Sequence, residues 1–116
     1  MKVWLDDIRE APAGYRHCRS VGSCIRTIKE AAAQGKELEE LNLDHDLGDY
    51  ARDGGDGINL LNYIEEQVVL SPLNRRVFKN CEFRIHSMNP VGAARMRTVI
   101  HRIYDVVRGR GYFGNT

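Results

Sequence analysis

The sequence is poor in several things, and each shortage narrows the reading. Its 116 residues include three cysteines, three prolines, one tryptophan and 8% aromatics, and its formal net charge is +1. Cys18, Cys24 and Cys81 are odd in number and scattered, with no Cys-x-x-Cys pair. That argues against a disulfide framework and against a cysteine zinc site. Reduced, buried thiols in a cytoplasmic protein are the expectation. No apolar run approaches the ~18–20 residues of a membrane span, so no membrane partner is expected. The opening Met1-Lys2-Val3-Trp4-Leu5-Asp6-Asp7 turns charged too early for a secretory leader. A chain that is 42% hydrophobic and 28% charged is neither collagen, coiled coil nor disordered as a whole. No aromatic-rich basic stretch points to extended RNA or DNA binding.

What is present fits one domain spanning residues 1–116, since domains run to ~100–200 residues. The near-zero net charge hides an asymmetry. Residues 1–70 hold 14 acids and 8 bases, whereas residues 71–116 hold 2 acids, Glu82 and Asp105, and 9 bases. An acidic, cation-binding half beside a phosphate-meeting basic half is one explanation; an ordinary solvated basic face is the other.

Along the chain, Lys2–Leu5 predicts a strand that stops at Asp6-Asp7. Residues 8–14, with Pro12 and Gly14, predict a loop, and Tyr15–Arg19 a short second strand. Ser20 is placed to cap a helix whose Val21, Cys24, Ile25, Ile28 and Ala32 share a face and which Gly35 ends. Leu41–Leu43 is a strand-like run leading into Asp44-His45-Asp46. Residues 47–57 form a Gly/Asp-rich loop, and Asp56 is placed to cap a helix with Ile58, Leu61, Tyr63, Ile64 and Val68 as core, ended by Ser71-Pro72. Cys81–Ile85 predicts a strand that stops at His86-Ser87. Asn89-Pro90 then opens an amphipathic helix with Met96, Val99, Ile100, Ile103, Tyr104 and Val107 on its face, and Gly109, Gly111 and Gly114 break the tail. Alternating strands and helices predict an α/β fold, a mostly parallel sheet flanked by helices in three layers. One joint is awkward. The link between the first two strands is shorter than the dozen or so residues of a usual parallel crossover. Either an extended loop makes the crossover, or Tyr15–Arg19 is not a parallel strand.

Three strand-like runs thus end in polar clusters: Asp6-Asp7, Asp44-His45-Asp46 and His86-Ser87. Ligands of open α/β sheets bind outside the carboxyl ends of the strands, where these clusters would converge. Four carboxylates crowded together raise one another's pKa unless a cation sits among them. Oxygen-only ligands favour Mg²⁺ (or Mn²⁺); the plainer alternative is that the acids cap turns and helix starts. His45 and His86 lie inside polar clusters, and imidazoles there can pass protons, bind metal or orient a neighbour. His17 and His101 are expected to be structural. At the helix start, Ser87, Asn89, Gly92 and Arg95 are candidates to grip a phosphate, through side-chain hydrogen bonds, close backbone approach and charge. Capping alone would also account for Asn89.

In this order, the clusters resemble those of receiver domains, the phospho-accepting modules of two-component signalling. The resemblance implies that Asp6-Asp7 is a metal-binding pair, Asp44 the phosphoacceptor position, Asp46 a backbone-carbonyl ligand and Ser87 the Ser/Thr position. No segment matches the receiver's fifth strand with its lysine, and a loop stands in place of its first helix. The sequence is more closely similar to the cyclic-phosphate processing receiver domains, through Leu5-Asp6-Asp7-Ile8-Arg9-Glu10-Ala11-Pro12, Leu43–Asp49 and Ile85–Gly92. This resemblance implies a trimmed receiver-like sheet of four strands in the order 2-1-3-4. It implies a metal-dependent phosphoesterase opening the 2′,3′-cyclic phosphate of a nucleotide or RNA end, in an RNA-repair setting. Asp6, Asp7, Asp44 and Asp46 would hold Mg²⁺. His45 and His86 would be an acid/base pair, with Asp44 as nucleophile in a covalent variant. A signalling module phosphorylated on Asp44 and a non-catalytic cyclic-nucleotide or RNA-end binder are the alternatives.

Overall fold

The computed structural model describes residues 1–109; Gly111 and Gly114 of the tail lie outside them. The elements are β1 (Lys2–Leu5), β2 (Tyr15–Cys18), α1 (Val21–Ala33), β3 (Glu40–Leu43), a 3-10 turn (Gly48–Arg52), α2 (Gly57–Leu70), α3 (Pro72–Phe78), β4 (Glu82–Ile85) and α4 (Pro90–Val107). All strand pairs are parallel, and the order is β2-β1-β3-β4.

The helices begin where side chains satisfy free backbone amides. Ser20 Oγ accepts from Ser23 N at 3.1 Å. Asn89 Oδ1 accepts from Gly92 N at 2.9 Å, with Pro90 in the first helical position. The Ser71-Pro72 stop is also a start. Ser71 ends α2 and caps α3, a short helix that the sequence reading left out. The 47–57 stretch is not a free loop either. Ser20 Oγ donates to Asp53 Oδ2 at 2.7 Å, and Leu47 N donates to Asp56 Oδ1 at 3.0 Å.

The awkward first crossover is made by an extended loop. Asp6 Oδ1 accepts from Ile8 N at 2.9 Å and Arg9 N at 2.8 Å, which turns the chain as soon as β1 ends. Tyr15 N then donates to Pro12 O at 3.2 Å and brings the chain back to pair beside β1. Arg19 lies just beyond β2 rather than in it.

The layering differs from the three layers expected. The β2-to-β3 and β3-to-β4 connections step the same way across the sheet. Right-handed crossovers therefore put their helices on one face, and α1, α2, α3 and α4 do contact one another there. Val3, Leu5, Leu41, Leu43 and Phe83 point into that layer, where they pack with Val21, Cys24, Ile28, Leu61, Ile64, Met96 and Ile103. The helices that would cover the other face of a full receiver have no counterpart among the described residues. Trp4, Tyr15, Glu40, Asn42 and Arg84 occupy that second face by strand alternation. They partner one another. Tyr15 Oη donates to Glu40, whose carboxylate also receives Asn42 Nδ2 at 3.4 Å and pairs with Arg84 at 3.5 Å. The three cysteines are free and buried. Among the described residues, no helix is long and apolar enough to cross a membrane.

Candidate functional site

The parallel sheet brings its three strand ends together. Asp6 and Asp7 follow β1 and Asp44 follows β3, its neighbour. One ligand oxygen from each of these acids lies within 4.8 Å of the others. They line an open pocket of about 370 Å³ together with Ile8, Arg9, Asp46, Gly48 and Met88. Gly48 has φ +54, and a Cβ there would stand 2.8 Å from Asp7 Oδ2. A bare backbone at this point leaves the Asp7 carboxylate its place.

The carboxylates are not equivalent. Asp6 is buried. Burial pushes its carboxyl up, but the amides of Arg9 and Ile8 and the His86 imidazole outweigh that and hold it below the usual range. Asp44 goes the other way, raised by burial and by the charge of Asp6, against hydrogen bonds from His45 N and Ser87. Three carboxylates with an oxygen each within 4.8 Å of the others crowd negative charge at this point. The oxygen-only donor set and this unbalanced charge fit a hard divalent cation such as Mg²⁺ or Mn²⁺. The Asp46 carboxylate is not part of the converging set. It receives His45 Nδ1 at 2.8 Å and Asn89 Nδ2 at 3.3 Å. The His45 hydrogen bond is the largest influence holding Asp46 below its ordinary range.

The two histidines hold different positions. His86 is turned into the protein. Its Nε2 meets Asp6 Oδ2 at 2.9 Å and its Nδ1 meets Asn42 Oδ1 at 2.6 Å. Both partners offer acceptor oxygens, so both ring nitrogens are engaged. Trp4 stacks on it with centroids 3.8 Å apart and planes 6° apart, which fixes the ring's plane. His45 lies across the start of α4 and hydrogen-bonds Asp46 through Nδ1; its Nε2 has no hydrogen-bond partner among the described residues. Neither ring is among the lining residues of the pocket.

The expected phosphate grip is largely occupied by other work. Ser87 hydrogen-bonds Asp44, and its Oγ accepts from Asn89 N at 3.1 Å. Asn89 caps α4 and reaches Asp46. Gly92 corrects the sequence reading most clearly. The space it leaves open is filled by the His45 ring, 2.6 Å from where a Cβ would stand, and its N–H is taken by Asn89. No backbone is left there for a ligand to approach. Arg95 is exposed on α4 and does not line the pocket.

Other residues have come into the site. Arg9 is exposed, lines the pocket and supplies its one lining cation. Its position in the Leu5–Pro12 motif was the available signal. Asn42 holds His86, and a polar residue between Leu41 and Leu43 marked it. Arg19 donates to Asp7 O at 2.9 Å, and His17 Nε2 meets Asp6 O at 2.7 Å, which gives His17 the expected structural part. His101 is exposed on α4, away from the pocket.

A parallel sheet in the order 2-1-3-4, with an acid pair after its first strand, an acid after its third and a hydroxyl after its fourth, defines a receiver-like domain. The family model for the cyclic-phosphate processing receiver domain matches residues 1–102, and the chain belongs to that family. Comparison with curated proteins and with solved structures gave no match.

Proposed function

We propose that the protein is a Mg²⁺- or Mn²⁺-dependent phosphoesterase that opens 2′,3′-cyclic phosphates of nucleotides or RNA ends. The observation that supports this best is the convergence of Asp6, Asp7 and Asp44 on the floor of an open pocket whose one cation is Arg9. Those three acids would hold the metal, with the Asp46 carbonyl as a further oxygen. When bound, the metal offsets the carboxylate charge and polarises a phosphoryl oxygen. Arg9 then meets the remaining phosphate charge, the part first given to Arg95. Water attacks phosphorus, one ring P–O bond breaks, and the freed ribose oxygen takes a proton. A phosphomonoester and a hydroxyl result. His45, whose ring stands outside the pocket's lining and whose Nδ1 is held by Asp46, has Nε2 uncommitted and is the remaining side chain that could exchange protons with the site through a bridging water. His86 acts differently from the acid/base partner first expected: its two nitrogens are committed, and it holds Asp6 in place.

The test offers 2′,3′-cyclic nucleotides, and RNA with a cyclic end, to purified protein with Mg²⁺ or Mn²⁺. Ring opening is expected, with a loss of about 100-fold or more on Asp44→Asn, the scale set by removing an electrostatic stabiliser. No turnover, or equal turnover by that variant, would sink the reading. The Ser87 hydroxyl on Asp44 favours a second reading, phosphoacceptance by Asp44. A base-labile, acid-resistant adduct on Asp44 after incubation with a small phosphodonor and Mg²⁺ would select it.

A further inference from the structure

Two of the pocket's lining residues take no part in binding metal or phosphate. Ile8 is 79% exposed and Met88 83% exposed, the highest values among the exposed large apolar side chains. They come from different loops. Ile8 follows β1 and Met88 follows β4, the strands on either side of β3 and its Asp44. The two apolar side chains therefore reach one pocket from two loops, on either side of β3.

Both positions are held by the floor itself. Ile8 N donates to Asp6 Oδ1 at 2.9 Å. Met88 sits between Ser87, which hydrogen-bonds Asp44, and Asn89, whose N donates to Ser87 Oγ at 3.1 Å. Two exposed apolar side chains sharing one pocket with a polar floor differ from the singly scattered apolar residues of an ordinary surface. The pocket's polar groups are confined to four carboxylates and Arg9; no amide or hydroxyl side chain is among the lining residues. With the carboxylates given to metal and Arg9 to phosphate in the function proposed above, the side chains left at the walls, Ile8 and Met88, carry no group that reads hydrogen-bonding edges. Its volume, about 370 Å³, stands at the small end of ligand pockets, which span roughly 300–1,000 Å³.

We propose that Ile8 and Met88 form a nucleobase subsite, so that the substrate is a nucleoside cyclic phosphate whose base is held against apolar walls without being read. This inference rests on the cyclic-phosphate reading of the floor. A flat ring presents apolar faces that such side chains can cover, and a methionine thioether contacts aromatic rings favourably. Recognition through the faces of a base is tolerant of which base it is. The same subsite would take a free nucleotide or the last nucleotide of an RNA.

The experiment measures kcat/KM with Mg²⁺ for adenosine and cytidine 2′,3′-cyclic phosphates, for a short RNA ending in a cyclic phosphate, and for base-less ribose 2,3-cyclic phosphate. Wild type is expected to prefer the better of the nucleotide and RNA substrates over the base-less compound by about 10-fold or more, mainly through KM, the scale of a small apolar contact. Adenosine and cytidine forms should differ by less than about 3-fold, as expected where no base edge is read. Ile8→Ser and Met88→Ser should each bring the preference for the base towards 1, whereas Leu73→Ser, an exposed apolar side chain that does not line this pocket, should keep it. The faster of the nucleotide and RNA substrates identifies the source. Equal turnover of base-less and nucleotide substrates by wild type, an unchanged preference in both wall variants, or strong discrimination between bases would overturn the subsite and leave the floor's reading standing. No turnover of any of these compounds would overturn the floor's reading itself.

Discussion

The imidazole of His45 occupies the space in which Gly92 would carry a side chain, with ring carbons 2.6 Å from that point. The glycine at the head of α4 is thus part of how His45 is seated. Gly92→Ala is expected to push the ring aside. Overpacking costs about 1–3 kcal/mol, against which alanine's helix propensity returns about 1 kcal/mol. The variant should stay folded, with a modest loss in thermal stability and a larger loss in turnover. Imidazole NMR signals of His45 that remain unshifted would count against this seating.

Asp6 is where stability and site geometry meet. Its carboxylate accepts from two backbone amides and His86. Asp6→Ala strands those partners and should cost about 2–4 kcal/mol in urea unfolding. The pH dependence follows from its lowered pKa. The folded protein favours the ionised form, so this contribution is fully present above the unfolded value near ~3.9 and is lost as pH falls through the folded value.

Asp44 has the opposite sign. Its pKa is raised by burial and by Asp6, so its ionisation opposes folding at pH above its folded value, and the penalty fades as pH falls through that value. Asp44→Asn should therefore melt higher than wild type at pH 7 without divalent metal, with the gain disappearing in acid. Added Mg²⁺ should raise the melting temperature of wild type more than that of the variant, because a ligand bound only to the folded state stabilises it. A thermal-shift titration across pH and Mg²⁺ reads both effects.

The two arginines proposed for phosphate can be separated by kinetics. Arg9 lines the pocket and Arg95 does not. Arg9→Ala is expected to raise KM for a cyclic nucleotide by about 10-fold or more, consistent with losing a hydrogen bond to a charged group, ~1.5–3 kcal/mol. Arg95→Ala should change it little. The reverse ranking would return the clamp to α4.

Asn42 is expected to act through His86, since its Oδ1 lies 2.6 Å from Nδ1 of that ring. Asn42→Leu removes that acceptor beside a ring still facing Asp6. NMR should show the His86 ring signals shifting as its seat loosens, with turnover reduced, while Asn42→Asp, which keeps an acceptor at this position, should hold the ring and keep its signals near those of wild type.

Much of this was legible along the chain because it depends on neighbours in sequence. The apolar runs, the Ser20 and Asn89 caps and the polar residues at three strand ends are local signals. They were enough to foresee the four strands, the three longer helices and the convergence of Asp6, Asp7 and Asp44. α3 was passed over because Ser-Pro marks a stop and a start equally well. Layer number was not legible, because alternation of strands and helices does not say on which face each helix lies. That depends on the direction of each crossover, and the loop replacing a helix after β1 removed the one that would run the other way.

Residue identity by itself determined which groups were available: the acids, two histidines in polar clusters and a capped helix start. Tertiary structure decided what each was free to do. A hydrogen-bonding group spends its donors and acceptors on whatever the fold places beside it. His86 is committed to Asn42 and Asp6, Gly92 is covered by His45, and Ser87 and Asn89 are bonded within their own loop. Arg9, Ile8 and Met88 were left facing the pocket. Those allocations depend on distances across the sheet between residues as far apart in sequence as Asp6 and His86, which only the packed fold sets.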